Sequence, residues 1–319
     1  MTKNKITVWS LLFGLGLWLT SCVAEDYTGC WVQPLRLSFS YDTLAEGAVG
    51  ADEVHSAHIY FFDEKGVYVA SWVLRDPDLS KTYDFELETL PGKYEFVVWF
   101  NQQDPYYTLP TYENFTAGQT RKQEAQLGLS LPSDKFVRTT IPHLLHGKLA
   151  GAVITGSGEH HFTIPVSQYS NTVKLTVKGL PANTETYGFS ITDNNGVYDY
   201  DCSHVSCETF QYTTTCASRP VRSMTNELEA FLNILRLGYD RSPKLRVFSE
   251  TTGREIYPAA TGQPDDLVDL IRKHYPAGID FDLRHYYEIT LEYDTDLNIT
   301  VDIDVWGETK DDYEIDGTE

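Results

Sequence analysis

From Leu35 to Trp306 the chain runs in short segments whose apolar and polar side chains alternate, and Gly, Pro, Asn and Asp interrupt them at short intervals. A period of two puts successive side chains on opposite faces of an extended strand, so each segment presents an apolar face that another sheet must cover. A helix instead needs apolar residues three and four apart, and one stretch supplies them. The fold class that follows is all-β, with strands paired into sheets and sheets packed as sandwiches.

The first group contains Leu35 to Tyr41 and Ala57 to Asp63, after which Glu64-Lys65-Gly66 turns a hairpin into Val67 to Leu74. Thr82 to Leu87 follows, then the turn Leu90-Pro91-Gly92 and the strand Lys93 to Phe100. In that strand Tyr94, Phe96, Val98 and Phe100 share one face, the mark of half-burial. Asn101 to Ser133 is polar and weakly periodic and reads as a long loop. Phe136 to Ile141, Gly147 to Ile154 and His160 to Val166 close the group.

The second group begins at Thr172 to Val177, with a turn at Gly179-Leu180-Pro181. Tyr187 to Asp193 and Val197 to Asp201 flank Asn194-Asn195-Gly196, which reads as a second hairpin because Asn and Gly tolerate positive φ. Phe231 to Leu237, Lys244 to Ser249, Tyr287 to Tyr293 and Asn298 to Trp306 supply further strands, the last two meeting at Asp294-Thr295-Asp296. The one helix has Pro264-Asp265-Asp266 in its first turn, an apolar stripe of Leu267, Leu270 and Ile271, and Lys273-His274 at its negative end; Pro276 stops it. Two similar β-sandwich domains in series are expected, an N-terminal one over residues 35–167 and a C-terminal one over 168–319, with the short helix in the second.

The first residues are of another kind. Lys3 and Lys5 precede an uncharged apolar run from Ile6 to Leu19 that ends on Leu19-Thr20-Ser21-Cys22. The run is shorter than the roughly 20 helical residues that span a bilayer, so residues 1–21 read as a signal peptide. The small residues ahead of Cys22 resemble the lipobox of bacterial lipoproteins, in which diacylglycerol is attached to the cysteine and, after cleavage, an N-acyl chain is added. Residues 22–34 then form an acylated linker, and Glu25 and Asp26 resemble the export signal that sends lipoproteins to the outer face of the outer membrane. Several acyl chains on one residue, at about 0.8 kcal/mol per buried methylene, hold a protein almost permanently.

The chain carries 25 Lys and Arg against 46 Asp and Glu, and loss of the leader removes two lysines and no acid. That acidic surplus disfavours nucleic acid and anionic lipid surfaces as partners. Of the five cysteines, Cys22 is the lipid site, which leaves Cys30, Cys202, Cys207 and Cys216 as candidate disulfide cysteines in an oxidising compartment, or as free thiols. The spacing Cys202-x4-Cys207-x8-Cys216 matches no common zinc finger.

No phosphate loop, nucleophile elbow, HExxH or paired CxxC pattern is present, and no enzyme activity or cofactor is expected. His143-x2-His146, with His160 or His161 as a third group, is the best metal candidate, but no nearby Glu is placed as a base, and the pair reads as part of a turn before a strand. Asp193-Asn194-Asn195-Gly196 lacks the distant bidentate Glu of a calcium loop and reads as a turn. Trp99, Tyr106, Tyr107 and Tyr112 offer rings for stacking on sugars, or ordinary cover for a sandwich edge. Asn114-Phe-Thr and Asn298-Ile-Thr fit the N-glycosylation pattern and are set aside, because a bacterial leader does not lead to that machinery.

With the lipobox, Cys30, Leu35-Arg-Leu-Ser-Phe-Ser-Tyr-Asp, His58-Ile-Tyr-Phe-Phe-Asp-Glu-Lys-Gly-Val-Tyr, Leu90-Pro-Gly-Lys-Tyr-Glu-Phe-Val-Val-Trp and Phe189-Ser-Ile-Thr-Asp-Asn-Asn-Gly-Val-Tyr in order, the chain resembles the fimbrial anchor lipoproteins of Bacteroidales. The resemblance implies two transthyretin-like sandwiches, a lipid on Cys22, and a place at the base of a fimbrium, on the cell surface. It implies anchoring, limitation of fimbrial length, and fimbrial shaft subunits as partners; a surface lipoprotein that contacts a host protein or glycan is the competing reading. Donor-strand complementation is the mechanism such a family uses, and Ile299, Val301, Ile303 and Val305 are the candidate strand-exchange residues, the alternative being a core strand of the second domain.

Overall fold

A computed structural model describes residues 32–306 except 43–46, 104, 110–113, 182–184, 221–224, 259–263 and 297. Cys22, Cys30, the leader and the acidic tail therefore lie outside the described residues.

The alternation noted above becomes strands almost segment for segment. In the first group these are β1 (Val32–Ser40), β2 (Ser56–Asp63), β3 (Tyr68–Arg75), β4 (Thr82–Glu88) and β5 (Gly92–Phe100). Three short strands follow, β6 (Tyr107–Thr108), β7 (Gln126–Leu129) and β8 (Phe136–Val137), and then β9 (Leu145–Ile154) and β10 (His160–Gln168). One seven-stranded sheet has the order β3-β2-β5-β9-β10-β1-β4. It curls over on itself: Phe39 of β1 meets Phe100 of β5 edge-on at 5.2 Å between ring centroids, and Phe96 of β5 lies 5.8 Å from Phe162 of β10. Leu35, Leu37, Ile59, Phe61, Val98 and Ile164 fill the interior so formed.

β2 and β5 are buried on both faces, which corrects the reading of Lys93 to Phe100 as a half-buried strand: Val97 and Trp99 are as fully enclosed as Phe96 and Val98. The cover on their outer side includes Phe115, whose ring lies against those of Tyr60 and Phe62, and Tyr200, whose ring packs edge-on to those of Tyr60, Phe62 and Trp99. Asn101 to Ser133 is thus more than a loop, since it holds β6, β7 and a short 3-10 helix, Lys122–Glu124. Lys122, buried on that helix, places its Nζ 2.8 Å from Glu95 of β5 and 2.6 Å from Asp201, and Lys148 of β9 contacts the same two acids. Lys122 and Glu95 are enclosed and paired, as buried ions require, while the more exposed Lys148 and Asp201 complete the cluster at its rim.

The second group comprises β11 (Ser170–Pro181), β12 (Tyr187–Asp193), β13 (Val197–Asp199), β14 (His204–Val205), β15 (Phe210–Thr215), β16 (Ala217–Pro220), β17 (Thr225–Leu235), β18 (Lys244–Ser249), β19 (Glu255–Tyr257), β20 (Asp265–Asp266), β21 (Tyr286–Tyr293) and β22 (Ile299–Val305). They form a five-stranded sheet, β16-β17-β11-β21-β22, and a six-stranded one, β19-β18-β12-β15-β8, with β20 beside β18. A small sheet, β14-β13-β7-β6, joins the covering segment to this group. β11 runs through the expected turn at Gly179, where the ladder shifts register between Val177 and Leu180.

The expected helix, α1 (Leu267–His274), is present. Its start differs from expectation: Asp266 is the N-cap, accepting the Val268 and Asp269 amides at 2.9 and 3.2 Å, and Asp265-Asp266 pair with β18. The chain is all-β apart from this helix and two 3-10 turns among the described residues.

Candidate assembly site

A sheet edge carries backbone N–H and C=O groups with no ladder partner, and proteins keep such edges short or cover them. The sheet ends here differ greatly in length. β6, β8 and β14 have two residues each, β19 three and β16 four. β3, β4 and β22 have eight, seven and seven.

β3 and β4 are the two ends of the curled sheet, and the curl brings them together: the Trp72 and Phe85 rings lie 5.1 Å apart. The two strands do not pair with each other. The first residues of β3 are covered, since Tyr68 donates to Thr120 O and accepts from Gly118 N. From Ser71 to Arg75, β3 has no backbone partner beyond β2 among the described residues, and β4 has none beyond β1. Trp72, Leu74, Tyr83 and Phe85 stand half-buried along this seam, and Leu79 closes its end. Tyr83 pins the connecting loop by accepting from Asp78 N at 2.7 Å and donating to Asp78 O at 3.1 Å. The seam sets two edges with no further ladder partner among the described residues beside packed apolar rings, and an extended segment with alternating apolar side chains can pair with an edge of that kind.

β22 is enclosed differently. Ile303 and Val305 are fully buried and Ile299 and Val301 pack against the same core, so all four candidate strand-exchange side chains point inward from an edge strand. They are brought together as a core stripe.

The remaining sequence candidates do not converge on a site. His143 places Nδ1 2.9 Å from Ser170 Oγ, whereas His146 lies against Trp99, with burial pushing its pKa down to about 3. His160 stacks beside Phe162, and among the described residues no group of three His, Cys, Asp or Glu is placed to hold a metal. Asp193 is buried, which raises its pKa, and its Oδ1 accepts the Asn194 amide. Cys202, Cys207 and Cys216 are not joined to one another, and the Cys207 thiol donates to Asn194 O at 3.0 Å. Trp99 and Tyr107 are interior, Tyr107 donating to Pro142 O at 2.8 Å, and Tyr106 is half-buried on the same core, so these three form no exposed platform for a sugar. Tyr112 lies outside the described residues. Sequence reasoning missed the seam; its one local signal is the charge at every second position of Asp84-Phe85-Glu86-Leu87-Glu88.

The fold is β-rich, with long sheet edges, and among the described residues the candidate catalytic and metal-binding side chains are not brought together. The family model of the Fimbrillin-A associated anchor proteins Mfa1 and Mfa2 matches residues 25–312, and the chain belongs to that family. It is a family of structural fimbrial anchor proteins and not of enzymes. Among solved structures the chain is similar to the fimbrial anchor protein Mfa2 from Porphyromonas gingivalis, at 22% identity and TM-score 0.67, covering 87% of this chain and 98% of that one. It is also similar to a candidate polysaccharide-binding protein of Bacteroides thetaiotaomicron (17% identity, TM-score 0.65, 86% and 96% covered). A candidate adhesin of the same organism gives 19% identity and TM-score 0.64, with 88% and 98% covered. No match was found among curated proteins.

Proposed function

We propose that the protein is lipid-tethered to the outer membrane through Cys22, holds the base of a fimbrium and limits its length, and receives an extended segment of a shaft subunit in the β3/β4 seam. The observation that carries the assembly step is the seam itself: among the described residues Ser71 to Arg75 of β3 and the length of β4 have no further ladder partner, beside half-buried Trp72, Leu74, Tyr83 and Phe85. Support for the tether is the position of Cys22 at the end of a short apolar run behind two lysines. A subunit fixed by its lipid and engaged by the shaft stops growth at its own end, which links anchoring to length.

Cys22→Ala is expected to move the protein from the membrane fraction to the soluble one, with loss of the acyl mass; retention in the membrane removes the tether from this reading. For the seam the test is Val73→Pro. Asp76 N bonds His55 O, so alternate β3 residues bond to β2 and the Val73 N–H points away from the sheet. Proline is tolerated there but cannot donate to an incoming strand. Capture of shaft subunits from the native surface should fall about tenfold or more, the worth of one to two ladder hydrogen bonds, at unchanged thermal stability. Undiminished capture by the folded variant refutes the seam.

A further inference from the structure

Of the three long edges, β22 is closed by the last turn of α1. Trp306 N bonds Tyr286 O and Asp294 N bonds Asn298 O, so the even-numbered residues of β22 pair with β21 and the backbone groups of Val301, Ile303 and Val305 project off the sheet. Three of these six groups are met by two consecutive side chains. His274 Nε2 lies 3.1 Å from Val301 O, and the Tyr275 hydroxyl donates to Ile303 O at 3.4 Å and accepts from Val305 N at 2.9 Å. Asp302 stands 3.8 Å from the His274 ring. The helix is not a loose flap, because Leu267, Val268, Leu270 and Ile271 are buried beneath it and Asp266 caps it.

We infer that α1 is a permanent plug on the C-terminal sheet edge and that it makes this chain a one-ended subunit, able to take a strand at the β3/β4 seam and unable to recruit one at β22. The inference rests on the strand-complementation reading and gives it a direction. A polymer ends where a subunit offers one adhesive edge instead of two, and the remaining sheet ends are too short to serve. Without the plug the occupant of the β22 edge is the β22 edge of a second copy: the same seven residues on both sides pair antiparallel about a two-fold axis.

Two variants test the plug. Tyr275→Phe keeps the ring and removes the hydroxyl, leaving Val305 N and Ile303 O without their partner; the Val305 amide is expected to exchange roughly tenfold faster while the Leu291 amide, inside the sheet, is unchanged. Unaltered exchange at Val305 overturns the plug. His274→Ala with Tyr275→Ala uncovers the edge, and gel filtration of the whole mature chain over a concentration series should show a monomer for the parent protein and a dimer for the variant, with β22 amides protected again in the dimer. A folded variant that stays monomeric overturns the inference. Should the double variant fail to fold, Tyr275→Phe is run through the same series, where weak dimerisation supports the plug and its absence, with accelerated Val305 exchange, refutes it. The seam reading is judged separately by shaft capture with Val73→Pro, so either can fail alone.

Discussion

Glu64-Lys65-Gly66 and Asn194-Asn195-Gly196 follow one sequence rule, a polar turn ending in glycine between two alternating segments, yet only the first makes a hairpin. At the first, β2 and β3 pair antiparallel, Gly66 has φ of +73°, and Asp63 Oδ1 accepts the Lys65 and Val67 amides at 2.9 and 2.8 Å. At the second, β12 pairs with β15 and β18 while β13 leaves for the small sheet with β14 and β7. Asn195 is fully buried; its Nδ2 donates to Leu235 O and its Oδ1 accepts from Tyr212 OH, both at 2.9 Å. Residues that turn a chain at the surface act in the interior as a bracket between sheets, and burial decides between the two.

The largest expected effect breaks that bracket. Asn195→Ala leaves Leu235 O without the Asn195 amide and the Tyr212 hydroxyl without its acceptor, in a region closed to water. A cost of about 2 to 3 kcal/mol is expected in urea unfolding, the penalty for orphaned buried polar groups. A cost below about 1 kcal/mol would mean that Asn195 is an ordinary turn residue and that the contrast with Glu64-Lys65-Gly66 is empty.

The same contrast measures what could be read in advance. Strand positions such as Lys244–Ser249 and Tyr187–Asp193, the all-β class and the helix ending before Pro276 follow from local periodicity and breakers, which are properties of a few adjacent residues. Partners do not. That β2 and β5 are buried twice over, or that residues 126–128 pair with 197–199, depends on segments far apart in the chain. The seam is illegible for this reason: the strand of Thr82–Glu88 looks the same at an edge as in the middle of a one-sided sheet, and its neighbourhood with Trp72 appears only when the sheet curls. His274 and Tyr275 read as a helix end, while their role depends on a strand 27 and more residues further on.

Smaller effects sharpen the comparison at its two glycines. A Cβ at Gly196 would stand 3.0 Å from Phe210 Cε1 and 3.2 Å from Cys207 Sγ, and Gly196 does not use positive φ. Gly196→Ala should cost about 1 to 2 kcal/mol by crowding alone, and Gly196→Asn more, because a larger polar group enters the same packed space.

At Gly66 the order of those two substitutions should reverse. The obstacle is the backbone, with φ in the left-handed region, and the nearest atoms to an added Cβ belong to the end of the Gln123 side chain, which can swing aside. Alanine there should cost about 1 kcal/mol. Asparagine visits the left-handed region more readily and should recover part of that loss, roughly half a kcal/mol. The measurement is the urea midpoint of four variants, Ala and Asn at each glycine. Crossing orders, Asn better at 66 and worse at 196, would separate conformational from steric demand. Parallel orders would show that both glycines answer the same constraint and that the two turns differ less than their sheet partners suggest.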